Sequence, residues 1–209
     1  MKKNQRSSRI SSQAGKAIMV VFLGLICFSQ LYAQTTGALS DITLMRDNVK
    51  NKRISSYDKT GGNNDRLENI KDGEKRTLAE IEGSGIITHI WITIAPPPHQ
   101  LSRNDIILRI YWDGNDYPSV ESPIGPFFGQ GWNESYQFVS MPLSANPVEG
   151  RAMVSYFKMP FRKGARIEIE NQTGKTINAF YYYVDYLETP VDDNMGYFHA
   201  WYNHQITKA

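Results

Sequence analysis

The sequence predicts an all-β protein, an antiparallel β-sandwich or jelly roll, and three observations carry that reading. Apolar residues alternate with a period of two through most of the chain from Thr77 onward. The alternating segments are rich in Ile, Val, Thr and aromatic side chains, and short turns built on Gly, Asn and Asp separate them. No segment of ten or more residues carries an apolar stripe of helical period, which argues against βαβ crossovers and a parallel sheet.

Residues 85–94 are the clearest strand, with Ile86, Thr88, Ile90, Ile92 and Ile94 on one face and Ile87, His89, Trp91 and Thr93 on the other. Residues 106–113 repeat the pattern, setting Ile106, Leu108, Ile110 and Trp112 opposite Ile107, Arg109, Tyr111 and Asp113. Both read as core strands. Further strands are expected at 117–121, 136–141, 152–158, 165–171 and 177–187. Asp113-Gly-Asn-Asp116, Arg162-Lys-Gly-Ala165 and Thr173-Gly-Lys175 each place a Gly where a turn needs positive φ, so antiparallel hairpins are expected there. Seven or eight strands at this spacing point to a sandwich or jelly roll rather than a small barrel. The Ala95-Pro-Pro-Pro-His99 run ends its strand and reads as a stiff exposed loop.

Ahead of this domain the chain reads as an export signal. Lys2, Lys3, Arg6, Arg9 and Lys16 precede an apolar run over 17–28, which is shorter than the roughly 20 residues a membrane span needs. Cleavage after Ala33 is expected, with Ser29 as a second choice, giving a signal peptide of residues 1–33; an uncleaved anchor is the alternative. Cys27 follows Ile26, a poor match to the small residue that lipoprotein processing wants. The segment holds five Lys/Arg and no acid, so its removal takes the net charge from +2 to −3. A mildly acidic protein without a Lys/Arg cluster has no electrostatic footprint for nucleic acid. Cys27 is the only cysteine, so the exported domain relies on burial and hydrogen bonding instead of disulfides. The expected location is periplasmic or extracellular, with no membrane attachment after cleavage.

One segment is chemically unlike its surroundings. Arg53-Ile-Ser-Ser-Tyr-Asp-Lys-Thr-Gly-Gly-Asn-Asn-Asp65 gathers hydroxyls, acids, amides and adjacent glycines with almost no apolar content. Gly61 and Gly62 allow a close approach of backbone to a bound molecule, while Asp58, Asn63 and Asp65 offer short, stiff acceptors that suit sugar hydroxyls. An ordinary solvated loop fits the same composition, and calcium is a third reading without the EF-hand spacing. Pro126-Phe-Phe-Gly-Gln-Gly-Trp132 offers aromatic faces that can stack on a sugar ring, whereas the Tyr181–Tyr186 cluster reads chiefly as sheet packing. His89 and His99 stand without a second ligand nearby, so no metal site and no cofactor is expected. Asn133-Glu-Ser135 and Asn171-Gln-Thr173 match glycosylation sequons.

These residues, in order, resemble a known family. The Arg53–Asp65 segment, Leu78-Ala-Glu-Ile-Glu-Gly-Ser-Gly-Ile86 running into His89-Ile-Trp91, Leu108-Arg-Ile-Tyr-Trp-Asp-Gly114, Pro118-Ser-Val-Glu-Ser-Pro123 with Phe127-Phe-Gly129, and Met159-Pro-Phe-Arg-Lys163 are similar to the N-terminal half of glycoside hydrolase family 172. The resemblance implies the first half of a double jelly roll, with 34–190 as the jelly-roll domain and 191–209 as the start of a connection to a second one. It implies a carbohydrate substrate of the α-D-fructofuranoside or related furanoside class, and a homotrimer or hexamer. Carried onto this sequence, it nominates Tyr57, Asp58, Gly61, Gly62, Asn63 and Asp65 as sugar-binding residues, and Trp91, Phe127 and Trp201 as pocket-wall aromatics. Asn64 and Arg66 depart from the family pattern, which has an acid and an aromatic or apolar residue there.

The family's catalytic glutamates resemble Gly-Glu-Gly-Asp-Glu-type and Gly-Thr-Glu-Asp-type segments of the second jelly roll, neither of which occurs before Ala209. The catalytic residues are therefore expected beyond residue 209. Glu80 with Glu82 and Glu168 with Glu170 are each two residues apart on one strand face, and they read as surface acids. Glycoside cleavage needs a pair facing across the bond, about 5–5.5 Å apart for retention or about 6.5–9.5 Å for inversion. The expectation is an exported enzyme half that contributes fold, assembly and part of the sugar pocket. The alternative is a non-catalytic carbohydrate-binding module of the same fold.

Overall fold

Thirteen strands, described over residues 46–207 of a computed structural model, stack as two sheets. The signal peptide expected at 1–33, with Cys27, lies outside the described residues. In chain order the first strands are β1 (Lys50–Ser55), β2 (Leu67–Ile70), β3 (Lys75–Glu82), β4 (Gly85–Ala95), β5 (Ile106–Trp112) and β6 (Val120–Pro123). A four-residue helix, α1 (Ile124–Phe127), follows, and then come β7 (Phe138–Val139), β8 (Leu143–Asn146), β9 (Ala152–Ser155) and β10 (Met159–Phe161). The chain closes with β11 (Gly164–Asn171), β12 (Ile177–Glu188) and β13 (Ala200–Trp201).

The large sheet runs β1-β12-β4-β9-β8-β7, with β2 also on β12 and β10 also on β4; the small sheet runs β13-β6-β5-β11-β3. All pairings are antiparallel except β13 on β6, which places part of the 191–209 segment in the small sheet. The all-β antiparallel sandwich is the fold the alternation predicts. Between the sheets, Ile87, Ile90, Ile92 and Ile94 of β4 and Phe180, Tyr182 and Val184 of β12 are buried, as are Ile106, Leu108, Ile110 and Trp112 of β5 and Ile167 and Ile169 of β11. Fully burying one such side chain contributes roughly 1.5–3 kcal/mol. With no cysteine after Cys27, that burial is what holds the layers together. The Trp112 indole N–H, which burial would otherwise orphan, donates to the Phe198 carbonyl at 2.8 Å.

The face assignment of β4 needs correction. Ile87 points inward, not Ile86, because Asp185 pairs with His89 while the next residue, Tyr186, pairs with Ile87. Thr88 is the extra residue of a bulge, and the bulge shifts the alternation by one. A second bulge, in β3, lets Leu78 and Ala79 both face the core.

Two of the three expected hairpins are crossovers. Asp113 and Gly114, both at positive φ, do turn β5 back onto β6. Arg162-Lys-Gly-Ala165 and Thr173-Gly-Lys175 instead carry the chain between sheets, from β10 to β11 and from β11 to β12. Gly164 is needed there for close approach, since a Cβ would lie 2.8 Å from the Ile81 carbonyl oxygen. Asp113 fastens this end: its Oδ1 accepts from the Arg162, Lys163 and Gly164 N–H groups, and its Oδ2 accepts from the Tyr197 hydroxyl.

Candidate functional site

β1 and β2 both pair with β12, β1 opposite 183–188 and β2 opposite 177–180, so they are two pieces of one edge. The polar segment 56–66 is the insertion between them. It interrupts an edge strand halfway along its length, which sets it beside Tyr181–Tyr183 of β12. Ser56 seals its base. Its hydroxyl accepts from the Tyr182 N–H at 3.1 Å and donates to the Asp65 carbonyl at 2.8 Å.

Inside the loop the acids are largely committed to the backbone. Asp58 Oδ1 accepts from the Thr60 N–H and hydroxyl at 2.9 and 2.6 Å, and Oδ2 accepts from the Asn64 N–H at 3.2 Å. The hydroxyl and then the two N–H bonds hold the Asp58 carboxyl below the usual carboxylate range. Asp65 Oδ1 accepts from the Asp58 N–H at 2.7 Å. Gly61 has φ 80°, and a Cβ on Gly62 would sit 2.6 Å from Asp58 Oδ2, so both glycines are dictated by the fold of the loop itself. Tyr57, 59 % exposed, and all residues from Lys59 to Asp65 are open to solvent, and the Tyr57 and Asn63 side chains make no hydrogen bond among the described residues.

Next to the loop, on the outer face of the large sheet, the register lines up two rows across β1, β12 and β4. Ser55, Tyr183 and Trp91 form one; Arg53, Asp185 and His89 form the other. Trp91 and Tyr183 stack at 5.0 Å with 23° between planes, and the Arg53 guanidinium lies 4.6 Å over the Tyr183 ring. Arg53 grips Asp185 with both arms at 2.6 and 2.9 Å, and Asp185 Oδ2 is 2.8 Å from His89 Nδ1. His89 in turn stacks on Tyr156 at 5.3 Å. Burial works to raise the Asp185 carboxyl, but the bonds from Arg53 and His89 outweigh it and keep the group ionised, below its ordinary range. The ionised carboxylate can only accept, so His89 Nδ1 is the donor of that bond. Arg53, Asp185, His89 and Tyr183 are absent from the sites the sequence nominates; the 96 and 132 residues separating the partners hide the cluster until β4, β12 and β1 are paired.

Phe127 and Trp201 lie elsewhere. β1 contacts β3, so the loop edge of the large sheet lies over the β3 edge of the small one, and β6 and β13 form the opposite side of the sandwich. There Phe127 and Trp201 line a pocket of about 220 Å³ together with Phe157 and Phe198. Within one copy of the chain, the nine nominated residues therefore fall into a loop cluster, the adjoining Trp91 platform, and this separate pocket, whose Phe157 wall directly follows the Tyr156 that stacks on His89. Among the described residues no group of three His, Cys, Asp or Glu could hold a metal ion, and no helix is long and apolar enough to cross a membrane.

Fold and geometry together define a β-sandwich domain that displays a polar edge loop beside an aromatic platform. Residues 47–205, most of the chain, match the family profile described as the GH172 first beta-sandwich domain. The chain belongs to glycoside hydrolase family 172. Comparison with curated proteins finds no match. Among solved structures, the crystal structure of a serine protease of Aeromonas sobria is similar at 10% identity and a TM-score of 0.26, over 70% of this chain and 28% of that one. That likeness is too slight to bear on fold or function.

Proposed function

We propose that this domain is the substrate-holding half of an exported glycosidase acting on α-D-fructofuranosides or related furanosides. The observation that carries the proposal is the adjacency of the 56–66 loop to the Trp91–Tyr183 stack. Sugars are held by an apolar ring face against an aromatic and by hydroxyls bonded to stiff polar groups, and this edge offers both side by side. Tyr57, Asn63 and the remaining lone pairs of Asp58 and Asp65 meet the hydroxyls, and Gly61 and Gly62 keep the approach open. The carboxylates that break the glycosidic bond belong to the second jelly roll of the family. Assembly into a homotrimer or hexamer and a periplasmic or extracellular location complete the proposal.

The non-catalytic binding module is the second reading, and one observation favours it: the carboxylates of the loop and platform are already bonded within the domain. The two readings share a test. Titrating the chain with methyl α-D-fructofuranoside is expected to move the amide resonances of residues 57–65, and incubation with an α-D-fructofuranosyl disaccharide is expected to release no fructose. Release by this chain alone overturns the assignment of cleavage to the second jelly roll. Loop resonances that stay fixed overturn the sugar-holding role in both readings.

A further inference from the structure

We infer that the β6/β13 side of the sandwich carries a second carbohydrate site, separate from the loop and platform, for a neutral sugar. The observation is a cleft of about 670 Å³ lined by Asn104, Asp105, Trp132, Asn133, Tyr202 and His204, within the size range of ligand pockets.

Two features mark the cleft as built. Trp132 and Asn133 are consecutive non-glycine residues at φ 56° and 57°, in a tight turn closed by the Glu134 N–H donating to the Gly131 carbonyl at 3.0 Å. Left-handed backbone costs roughly 1–2 kcal/mol at a residue such as Trp132, whereas Asn adopts it more readily, and here it holds Trp132 out with 90 % of its surface exposed. The turn is anchored from behind by the Tyr136 hydroxyl, which accepts from the Gly131 N–H and donates to the Gly129 carbonyl. The facing wall is anchored too. Arg103, 3 % exposed, donates to the Leu101, Ile94 and Pro96 carbonyls and so fixes the short turn that presents Asn104 and Asp105. Ser102 ties the walls together, accepting from the Asn104 N–H and donating to Asn133 Oδ1, both at 3.1 Å.

The second feature is that the polar side chains are unspent. On the outer face of the small sheet Arg109 is clamped between Glu121 and Glu170, and the loop acids bond internally. The Asn104, Asp105 and His204 side chains, by contrast, have no hydrogen-bond partner among the described residues, and they converge beside two exposed rings. Amide donors and acceptors with one carboxylate, and no Lys or Arg in the lining, suit a neutral hydroxylated ring and repel an anionic one.

This inference is independent of the furanosidase proposal, and one spectrum separates them. The four tryptophans, Trp91, Trp112, Trp132 and Trp201, give four indole N–H signals. Titrating the full chain with sucrose, raffinose and methyl α-D-fructofuranoside is expected to move the Trp132 signal saturably for at least one sugar, leaving buried Trp112 as an unmoved reporter of fold. Read at the Asn104 and Asp105 amides, Trp132→Ala should weaken that binding roughly tenfold or more. Asp105→Asn should weaken it less, and the distant exposed Tyr117→Ala not at all. A Trp132 signal indifferent to all three sugars, or equal affinity in Trp132→Ala, overturns the inference. Movement confined to Trp91 and residues 57–65 also overturns it while leaving the furanoside reading intact.

Discussion

Ser56 and Tyr182 bond to each other twice: the Ser56 N–H donates to the Tyr182 carbonyl at 3.2 Å, and the Tyr182 N–H donates to the Ser56 hydroxyl at 3.1 Å. The hydroxyl thus stands where a backbone carbonyl of β1 would have continued the ladder, and it releases the chain to leave the sheet as a loop. Ser56 is 8 % exposed, so Ala there leaves the Tyr182 N–H and the Asp65 carbonyl without their partner. Ser56→Ala is expected to lower stability by about 1–2 kcal/mol, measured by urea denaturation. It should also raise amide exchange in residues 57–65 while leaving β4 protected. Unchanged exchange in the loop would show that the hydroxyl does not hold it.

Asp185 should shape the acid limb of stability. Its folded carboxyl binds a proton more weakly than the unfolded one, because the bonds from Arg53 and His89 outweigh burial. Its contribution is therefore complete above the ordinary carboxylate value of about pH 4 and fades as pH falls through the lower folded value. Asp185→Asn is expected to be less stable than the parent at neutral pH and to converge with it in acid. Urea midpoints measured across that range test this; a constant gap between the two curves contradicts it.

How far the sequence reaches follows from the range of each interaction. β4, β5, β11 and β12 are seven to twelve residues long and rich in β-branched and aromatic residues, and β5 and β11 alternate without a break, so composition and period suffice to find these strands. β1, with five charged or polar residues among its six, and the two-residue β7 and β13 carry no such signal, and they exist because β12, β8 and β6 pair with them. The Thr88 bulge is equally invisible, being defined by β12 and not by β4. At the site, the loop announces itself through local composition, since its glycines and Asp58 act within a few residues of one another. The Arg53–Asp185–His89 unit does not, because each member comes from a different strand.

Two glycines at positive φ should behave differently when changed to alanine. Gly174, at φ 69°, has open space where a Cβ would go, so Gly174→Ala meets only the conformational penalty of about 1–2 kcal/mol. A Cβ on Gly150, at φ 59°, would collide with the Tyr136 carbonyl oxygen and the Gln130 side-chain amide, which is buried and donates to Tyr136 and Gly150 carbonyls. Gly150→Ala is expected to cost about 3 kcal/mol or more, or to prevent folding. Thermal unfolding of the pair, with Gly174→Ala as the reference, decides it; equal losses would mean the Gln130 network yields to the added methyl.

The two sequons are chemically alike in sequence and opposite in structure. Asn171 is fully buried, and its Nδ2 donates to the Ile70 and Lys175 carbonyls at 2.9 and 2.7 Å, which leaves no path for a glycan on that nitrogen. Asn133 is exposed on its turn, and its amide nitrogen has no partner among the described residues, because the bond from Ser102 goes to Oδ1. Secretion from a host that glycosylates Asn-x-Ser/Thr sites should therefore give folded protein carrying one glycan, at Asn133. Peptide mass mapping reads this directly, and Asn133→Gln should abolish the added mass. A folded product modified at Asn171 would contradict the packing of that residue against β2.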